Sequence, residues 1–213
     1  MKTSFKIFTF LGSPVEVSLW FLILALIFPL TTFISIFIAV LIHEMAHILI
    51  TDYLGYRSWG IKIDLLFGTA QIQKDIPERD SIPILIAGPL SNLFLSAVSA
   101  IVAFGLYLFD FSGFVTQLFE SAVVINFLMF LFNIIPIYPL DGGRILRDIL
   151  TLKMTSKEMA LKISAWSSLL ISIILVILSI KFGLFIMSIF AIIFIYLALC
   201  DLKVIRVSDE DIS

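Results

Sequence analysis

The sequence is short of charged residues, of cysteine and of histidine, and the first two shortages each exclude a class of protein. Only 14% of the 213 residues are charged, against about 25% in soluble domains, while 61% are hydrophobic. A water-soluble globule with so little charge could not cover its surface, so lipid is the expected solvent for most of the chain. The net charge of -2 argues against a nucleic-acid partner. The single cysteine, Cys200, excludes an internal disulfide framework.

Long apolar runs predict an all-α polytopic membrane protein with about six transmembrane helices. The first predicted helix is shorter than the roughly 20 residues that cross a bilayer, so we expect it to be tilted, to lie in thin lipid or to begin earlier. The connection at residues 55–74 alternates apolar with polar or small residues, which predicts a small membrane-associated β-hairpin. A short amphipathic helix is expected after Gly143. The six helices are predicted at residues 18–29, 32–51, 81–109, 115–135, 163–180 and 182–199.

The basic residues fall almost entirely on one side of this arrangement. When successive connections are assigned to alternating sides, 13 of the 14 Lys and Arg residues share a side, and Lys181 lies on the other. The positive-inside rule makes the rich side cytoplasmic, so both termini of this multi-pass cell-membrane protein are predicted there. Lys2 and Lys6 before an apolar run are also typical of signal peptides. No small-residue cleavage site follows, so we expect that this N-terminal segment is not cleaved off.

The motif that carries chemistry is His-Glu-Met-Ala-His at residues 43–47, inside the second predicted helix. Positions i and i+4 share one face of a helix, so His43 and His47 can reach one ion. Neutral histidine nitrogens bind Zn²⁺, and Glu44 could take the proton from a water molecule in the open fourth coordination position of the ion. The alternative is a pair of helix-interior histidines without a metal. Against it, the chain has no other histidine, and three ionisable groups in one apolar helix are costly without a function.

Two histidines leave a zinc site one protein ligand short, no histidine remains, and acidic residues are the candidates for the third ligand. The predicted topology places Asp141 at the membrane level of His47. Two prolines break the chain before Asp141, and two glycines after it let backbone approach a site. The alternative is that Asp141 is a solvated N-cap of the amphipathic helix. Asp141 is favoured among five acidic candidates, which are Asp52, Asp64, Asp141, Asp148 and Asp201.

Two asparagines lie near the cytoplasmic ends of their predicted helices. Asn92 ends the segment Gly-Pro-Leu-Ser-Asn of the third helix, and Asn133 lies two turns before Asp141. A neutral donor at that depth could hold the carbonyl of a peptide substrate, or the oxyanion that forms during attack. The alternative for each asparagine is a hydrogen bond between helices.

Together these residues resemble the signatures of the site-2 protease family of intramembrane zinc metalloproteases. HExxH occupies residues 43–47, GPxxN residues 88–92 and NxxPxxPxDGG residues 133–143, in the order of that family. Gly-Ser-Pro at residues 12–14 is similar too, and the resemblance extends to about Arg144. It is nearest the six-helix subgroup that includes the sporulation pro-sigma-factor protease. The CBS domain of that subgroup and the PDZ domain of others have no counterpart here, so the sequence is expected to be either a trimmed piece of a longer protein or a minimal member.

The resemblance implies one Zn²⁺ per chain, held by His43, His47 and Asp141, with Glu44 as general base and electrophilic assistance near Asn133. The whole chain, residues 1–213, is predicted to be one metalloprotease domain with a catalytic core at 12–144 and accessory helices at 160–200. The expected partners are the bilayer, a transmembrane substrate protein and a regulatory membrane protein. An unwound substrate would add to the hairpin as a strand.

Two other functions compete with the protease. One is a catalytically silent zinc-binding relative, which the presence of Glu44 disfavours because metal binding does not need it. The other is a metal transporter, which would require further ligands across the membrane. The outer halves of the predicted helices contain no histidine, and Glu120 is the exception among acids.

Overall fold

The computed structural model describes the backbone of residues 4–64 and 68–210, and all of their side chains except those of residues 185, 186 and 203–210. The described chain is mostly helical and contains one four-stranded sheet. It divides into two compact units, the first comprising Met1–Ile76 with Ile86–Leu131 and the second Pro77–Leu85 with Phe132–Ser213.

The sheet belongs to the first unit and has the strand order β1-β2-β3-β4. The strands β1 and β2 are antiparallel, β3 lies parallel to β2, and β4 is antiparallel to β3. Their bounds are Ser4–Phe10, Ser13–Ser18, Ser58–Ile63 and Gly68–Ile72. The last two strands lie in the segment for which the sequence predicts a hairpin, and its residues 65–67 lie outside the described residues. The sequence did not predict the first two strands.

The first predicted helix, at residues 18–29, is wrong as a continuous span. The chain there forms a 3₁₀ turn at Leu19–Ile23 and a single helical turn, α1, at Leu24–Ile27. Phe28 is extended, as the residue before a proline tends to be, so Pro29 stops α1. An apolar run alone does not distinguish these short pieces from one longer helix.

Four helices in the described part of the chain are long and apolar enough to cross a bilayer, which fits an integral membrane protein. They are α2 (Leu30–Tyr53), α3 (Glu78–Leu108), α4 (Phe114–Ile134) and α6 (Lys157–Lys181). The amphipathic α5 (Asp141–Lys153) precedes α6, and α7 (Phe185–Glu210) contains a shorter apolar stretch, Met187–Leu202. The described residues therefore form seven α-helices, of which four are candidate spans, and the predicted count of six transmembrane helices is not confirmed.

Within the first unit, the sheet packs on α2, and polar side chains link the helices. Val15, Val17, Ile61 and Ile63 of the central strands form a buried cluster with Phe21 and Ile48. The hydroxyl of Ser35 on α2 donates to the carbonyl of Leu118 on α4 at 3.2 Å, and Ser96 on α3 donates to that of Val123 on α4 at 2.9 Å. Such hydrogen bonds support helix association in lipid, where apolar burial favours it little.

Within the second unit, the segment before α5 packs against α6 and α7. Ile137 and Leu140 are buried in a cluster with Phe194 of α7. The backbone N–H of Tyr138 donates to the Ser168 hydroxyl of α6 at 2.9 Å. A Cβ at Gly143 would collide with the backbone of Ile137 and Tyr138, so a glycine is required there. The two last helices therefore hold the segment that leads into Asp141.

Candidate metal centre

The two histidines of the motif lie one turn apart on α2, and both are buried. His43 is 4% exposed and His47 is 6% exposed, and their Nε2 atoms lie 3.1 Å apart. The rings meet edge to face, with centroids 4.7 Å apart. Glu44, between them in sequence, is 6% exposed. Three ionisable side chains buried on one apolar helix require a partner or a function that compensates for their desolvation.

Asn92 of α3 binds His43 rather than facing an open space. Its Oδ1 lies 2.6 Å from Nδ1 of His43, and the side chain is fully buried. Its amide nitrogen donates to the carbonyl of Ala39 at 3.2 Å and to Oδ1 of Asn126 at 3.0 Å. Both donor hydrogens are thereby used. This geometry favours a role in orienting His43, and the substrate or oxyanion role of Asn92 stays a prediction.

Asn126 of α4 is a residue that the sequence analysis missed. It is 2% exposed and donates to the carbonyl of Ala122 at 2.9 Å. A signal for it was present, because it stands alone as an amide in an apolar stretch, seven residues before Asn133 and so on the same face of α4. Asn133 is half-buried in the second unit, and its role towards a substrate also stays a prediction.

Two glycines bring backbone against the motif. A Cβ at Gly88, the first residue of GPxxN, would lie 2.5 Å from Nε2 of His47 and 2.7 Å from Cε1 of His43. A Cβ at Gly68, the first residue of β4, would lie 2.6 Å from Oε1 of Glu44. Only a residue without a side chain lets α3 and β4 approach so closely. The sequence analysis quoted Gly88 in its motif but assigned Gly68 no role at the site.

Asp141 is the first residue of α5 and is 6% exposed, so it is not a solvated N-cap. Among the other acidic candidates, Asp52 is exposed, Asp64 lies 3.7 Å from Lys62, and Asp201 pairs with Arg147.

Within the described residues, the group of side chains that could hold a metal ion is His43, His47 and Asp141, whose candidate ligand atoms lie within 4.8 Å of one another. Two imidazoles and a carboxylate form a donor set that suits catalytic zinc.

The sequence is similar to those of proteins named as metalloproteases. The sequence model of peptidase family M50 matches residues 107–178. A zinc metalloprotease of Methanocaldococcus jannaschii is 31% identical over 209 residues, which is 89% of this chain and 59% of that protein. Stage IV sporulation protein FB of Bacillus subtilis is 26% identical over 115 residues, which is 53% of this chain and 38% of that protein. The chain thus spans less than two thirds of the length of these curated relatives.

Comparison of folds agrees with the sequences. The solved structure of the site-2 protease from Methanocaldococcus jannaschii superposes with a TM-score of 0.64 at 25% sequence identity, covering 93% of this chain and 94% of that chain. The sequence and the fold are therefore similar to those of the Methanocaldococcus jannaschii proteins over nearly the whole chain. The motifs of the site-2 proteases also occur in this sequence in the family's order. Residues 107–178 thus match peptidase family M50, and in sequence and fold the chain is similar to the site-2 proteases.

Proposed function

We propose that the protein is an intramembrane zinc metalloendopeptidase that hydrolyses peptide bonds in or near transmembrane segments of other proteins. The observation that carries this proposal is the buried group of His43, His47 and Asp141, with Glu44 directly after the first histidine. Three protein ligands leave a fourth position for water, which is the arrangement of catalytic zinc sites. One zinc ion per chain is expected, and relatives named as zinc metalloproteases support the same function.

The side chains of the motif divide the chemistry between them. Zinc bound there would supply Lewis-acid chemistry at the scissile carbonyl and would acidify the attacking water. Glu44 accepts the proton of that water on its carboxylate and later returns it to the leaving amine. The absence of a side chain at Gly68 leaves room for this carboxylate. Asn133 is proposed as the donor that stabilises charge on the carbonyl oxygen of the substrate.

The sheet offers a route for an extended substrate to reach Glu44. β4 is an edge strand in the described sheet, and its first residue, Gly68, packs against the Glu44 side chain. A substrate segment that unwinds and pairs with β4 would have its main chain fixed by strand hydrogen bonds beside the general base. The partners expected for this activity are therefore the bilayer, a transmembrane substrate protein and a membrane protein that regulates cleavage.

The site opening and both termini are proposed to lie on the cytoplasmic side. The support is the distribution of basic residues, which the positive-inside rule connects with orientation. The connection between α3 and α4 has no Lys or Arg, whereas the connection between α2 and α3 contains Arg57, Lys62 and Lys74.

The decisive experiment incubates the purified full chain with a panel of single-span substrates, with and without a zinc chelator. Wild type should cleave a substrate, and the chelator should stop it. Glu44→Gln should keep its zinc and cleave about 10²–10⁴-fold more slowly, because an amide cannot accept the proton of water. Chelator-resistant cleavage, or near-normal cleavage by Glu44→Gln, would exclude this mechanism.

A companion variant tests the third ligand. Asp141→Asn keeps the shape of the side chain but removes its charge, so zinc content and cleavage should fall together. If Asp141→Asn keeps full zinc and activity while Asp52→Asn or Asp64→Asn loses both, the wrong acid has been assigned to the metal.

A further inference from the structure

A chain of hydrogen bonds leads from His43 through two helices and ends on backbone carbonyls. Nδ1 of His43 lies 2.6 Å from Oδ1 of Asn92. The amide nitrogen of Asn92 lies 3.2 Å from the carbonyl oxygen of Ala39 and 3.0 Å from Oδ1 of Asn126. The amide nitrogen of Asn126 lies 2.9 Å from the carbonyl oxygen of Ala122. Both asparagines are almost completely buried, so water does not compete for these bonds.

The carbonyl groups of Ala39 and Ala122 determine which atom donates in every hydrogen bond of this series. A carbonyl oxygen only accepts, so Asn126 must turn its amide nitrogen towards Ala122 and its oxygen towards Asn92. For the same reason Asn92 turns its nitrogen towards Ala39 and its oxygen towards His43. Because an amide oxygen only accepts, Nδ1 of a neutral His43 must carry the proton. The lone pair is then on Nε2, the atom that faces the second histidine of the motif.

We infer that Asn126 is a positioning residue which, through Asn92, holds His43 in the tautomer that presents Nε2 to the metal. The inference rests on the proposed zinc site. Histidine ligands commonly donate their second ring N–H to an acceptor, which fixes both tautomer and ring orientation. Here a neutral amide accepts that N–H, and the pair of amides brings no further charge into the apolar helices.

The tautomer can be measured without zinc, because the full chain contains only two histidines. The measurement uses ¹⁵N-histidine-labelled, zinc-free protein at about pH 8.5, roughly two units above the pKa of imidazole in model compounds. Wild type should show His43 with its proton on Nδ1, assigned by comparison with His47→Gln. Asn126→Leu and Asn92→Leu should give a mixture of tautomers at His43.

Zinc affinity, measured by competition with a chelator, supplies the second readout. Asn92→Leu should weaken zinc binding about 10–100-fold, the usual cost of removing a partner of a metal ligand. Asn126→Leu should weaken it in the same direction by a smaller factor. Asn92→Asp keeps an acceptor facing His43 and should restore most of the affinity. The matched control is Ser96→Ala, which removes the bond from α3 to the Val123 carbonyl of α4 and should leave zinc binding and tautomer unchanged.

The outcomes separate this inference from the proposed function. If both leucine variants keep the wild-type tautomer, and their zinc affinity equals that of Ser96→Ala, the inference is wrong. If wild type binds no zinc but its Nδ1–H tautomer is lost in the variants, the hydrogen-bond chain is supported and the zinc site is not. Asn126→Ala replaces Asn126→Leu if the larger side chain prevents folding.

Discussion

At Gly88, α3 lies so close to the two histidines that a single methyl group has no space. We predict that Gly88→Ala pushes the imidazoles apart and weakens zinc binding at least about tenfold, because histidine ligation requires close positional control. Gly105→Ala is the matched control on the same helix, since a Cβ there meets nothing within 4 Å. Chelator competition on both variants measures the difference, and equal affinities would contradict the proposed contact.

The pH dependence of stability provides a test at Asp148, which the sequence had only as a candidate ligand. Burial raises the pKa of its carboxyl group, while a hydrogen bond with Ser81 and the charge of Arg144 act in the opposite direction. Since the folded state binds this proton more tightly than the unfolded state, Asp148 makes stability fall as pH rises from its unfolded pKa to its folded pKa. Asp148→Asn should reduce that fall and leave zinc content unchanged.

Thermal unfolding of the detergent-solubilised protein, followed from about pH 4 to 7, compares wild type with this variant across that window. The stability of Asp148→Asn relative to wild type should increase with pH. A difference that stays constant, or that changes in the opposite sense, would show that Asp148 is not desolvated in the folded protein.

At the residue level, the sequence predicted what depends on positions within one helix. The spacing of His43 and His47 alone placed both rings on one face. The pairing of Asn92 with His43 and Asn126 depends on which faces of α2, α3 and α4 meet, and no spacing within one helix contains that information. For the same reason Gly68 was not recognised as a residue that borders Glu44.

At the level of elements, the sequence indicated the long helices better than the strands. Val15 and Val17 alternate with Glu16 and are buried, which is the pattern of a strand with one face in a core. The pattern spans few residues and leads directly into the apolar run for which the sequence predicts a helix from Ser18. The pairing with β3, about 45 residues later, is a non-local contact that short-range periodicity does not report.

The segment that leads into Asp141 is held by an ion pair as well as by apolar packing. Arg147 of α5 lies 4.0 Å from the ring centroid of Tyr138 and pairs with Asp201 of α7, and both charged side chains are mostly buried. Arg147→Met removes the cation–π contact and leaves Asp201 as a buried, unpaired acid. We predict faster loss of zinc to a chelator and a lower temperature of unfolding for this variant.

The control for Arg147 is another ion pair of the same unit. Lys157 lies 3.3 Å from Glu78 and its side chain is 70% exposed, so Lys157→Met should change stability by about 1 kcal/mol or less. An Arg147 variant that behaves like the Lys157 variant in both measurements would show that the pair does not support the Asp141 segment.

For the whole molecule, the small number of charged residues was sufficient to predict a membrane protein. Predicting how the chain passes through the bilayer also requires the strand order of the sheet. The helix α2 has 24 residues and is about 36 Å long, enough to cross once. It connects β2 to β3, which are parallel neighbours in one sheet. We therefore predict that the chain returns through the same depth before α2 begins, in residues 19–29.

This path predicts that the N-terminal strands and the connection after α2 share the cytoplasmic side, while the connection between α3 and α4 lies outside. Single cysteines at Thr9, Asp75 and Ser112, three exposed positions, test it in a Cys200→Ser background with a membrane-impermeant maleimide. Ser112→Cys should react in intact cells, and the other two only after permeabilisation, because the basic residues remain inside. Reaction of Thr9→Cys and Asp75→Cys from different sides would contradict the sheet-based path. A reversed pattern that keeps these two together would contradict only the orientation.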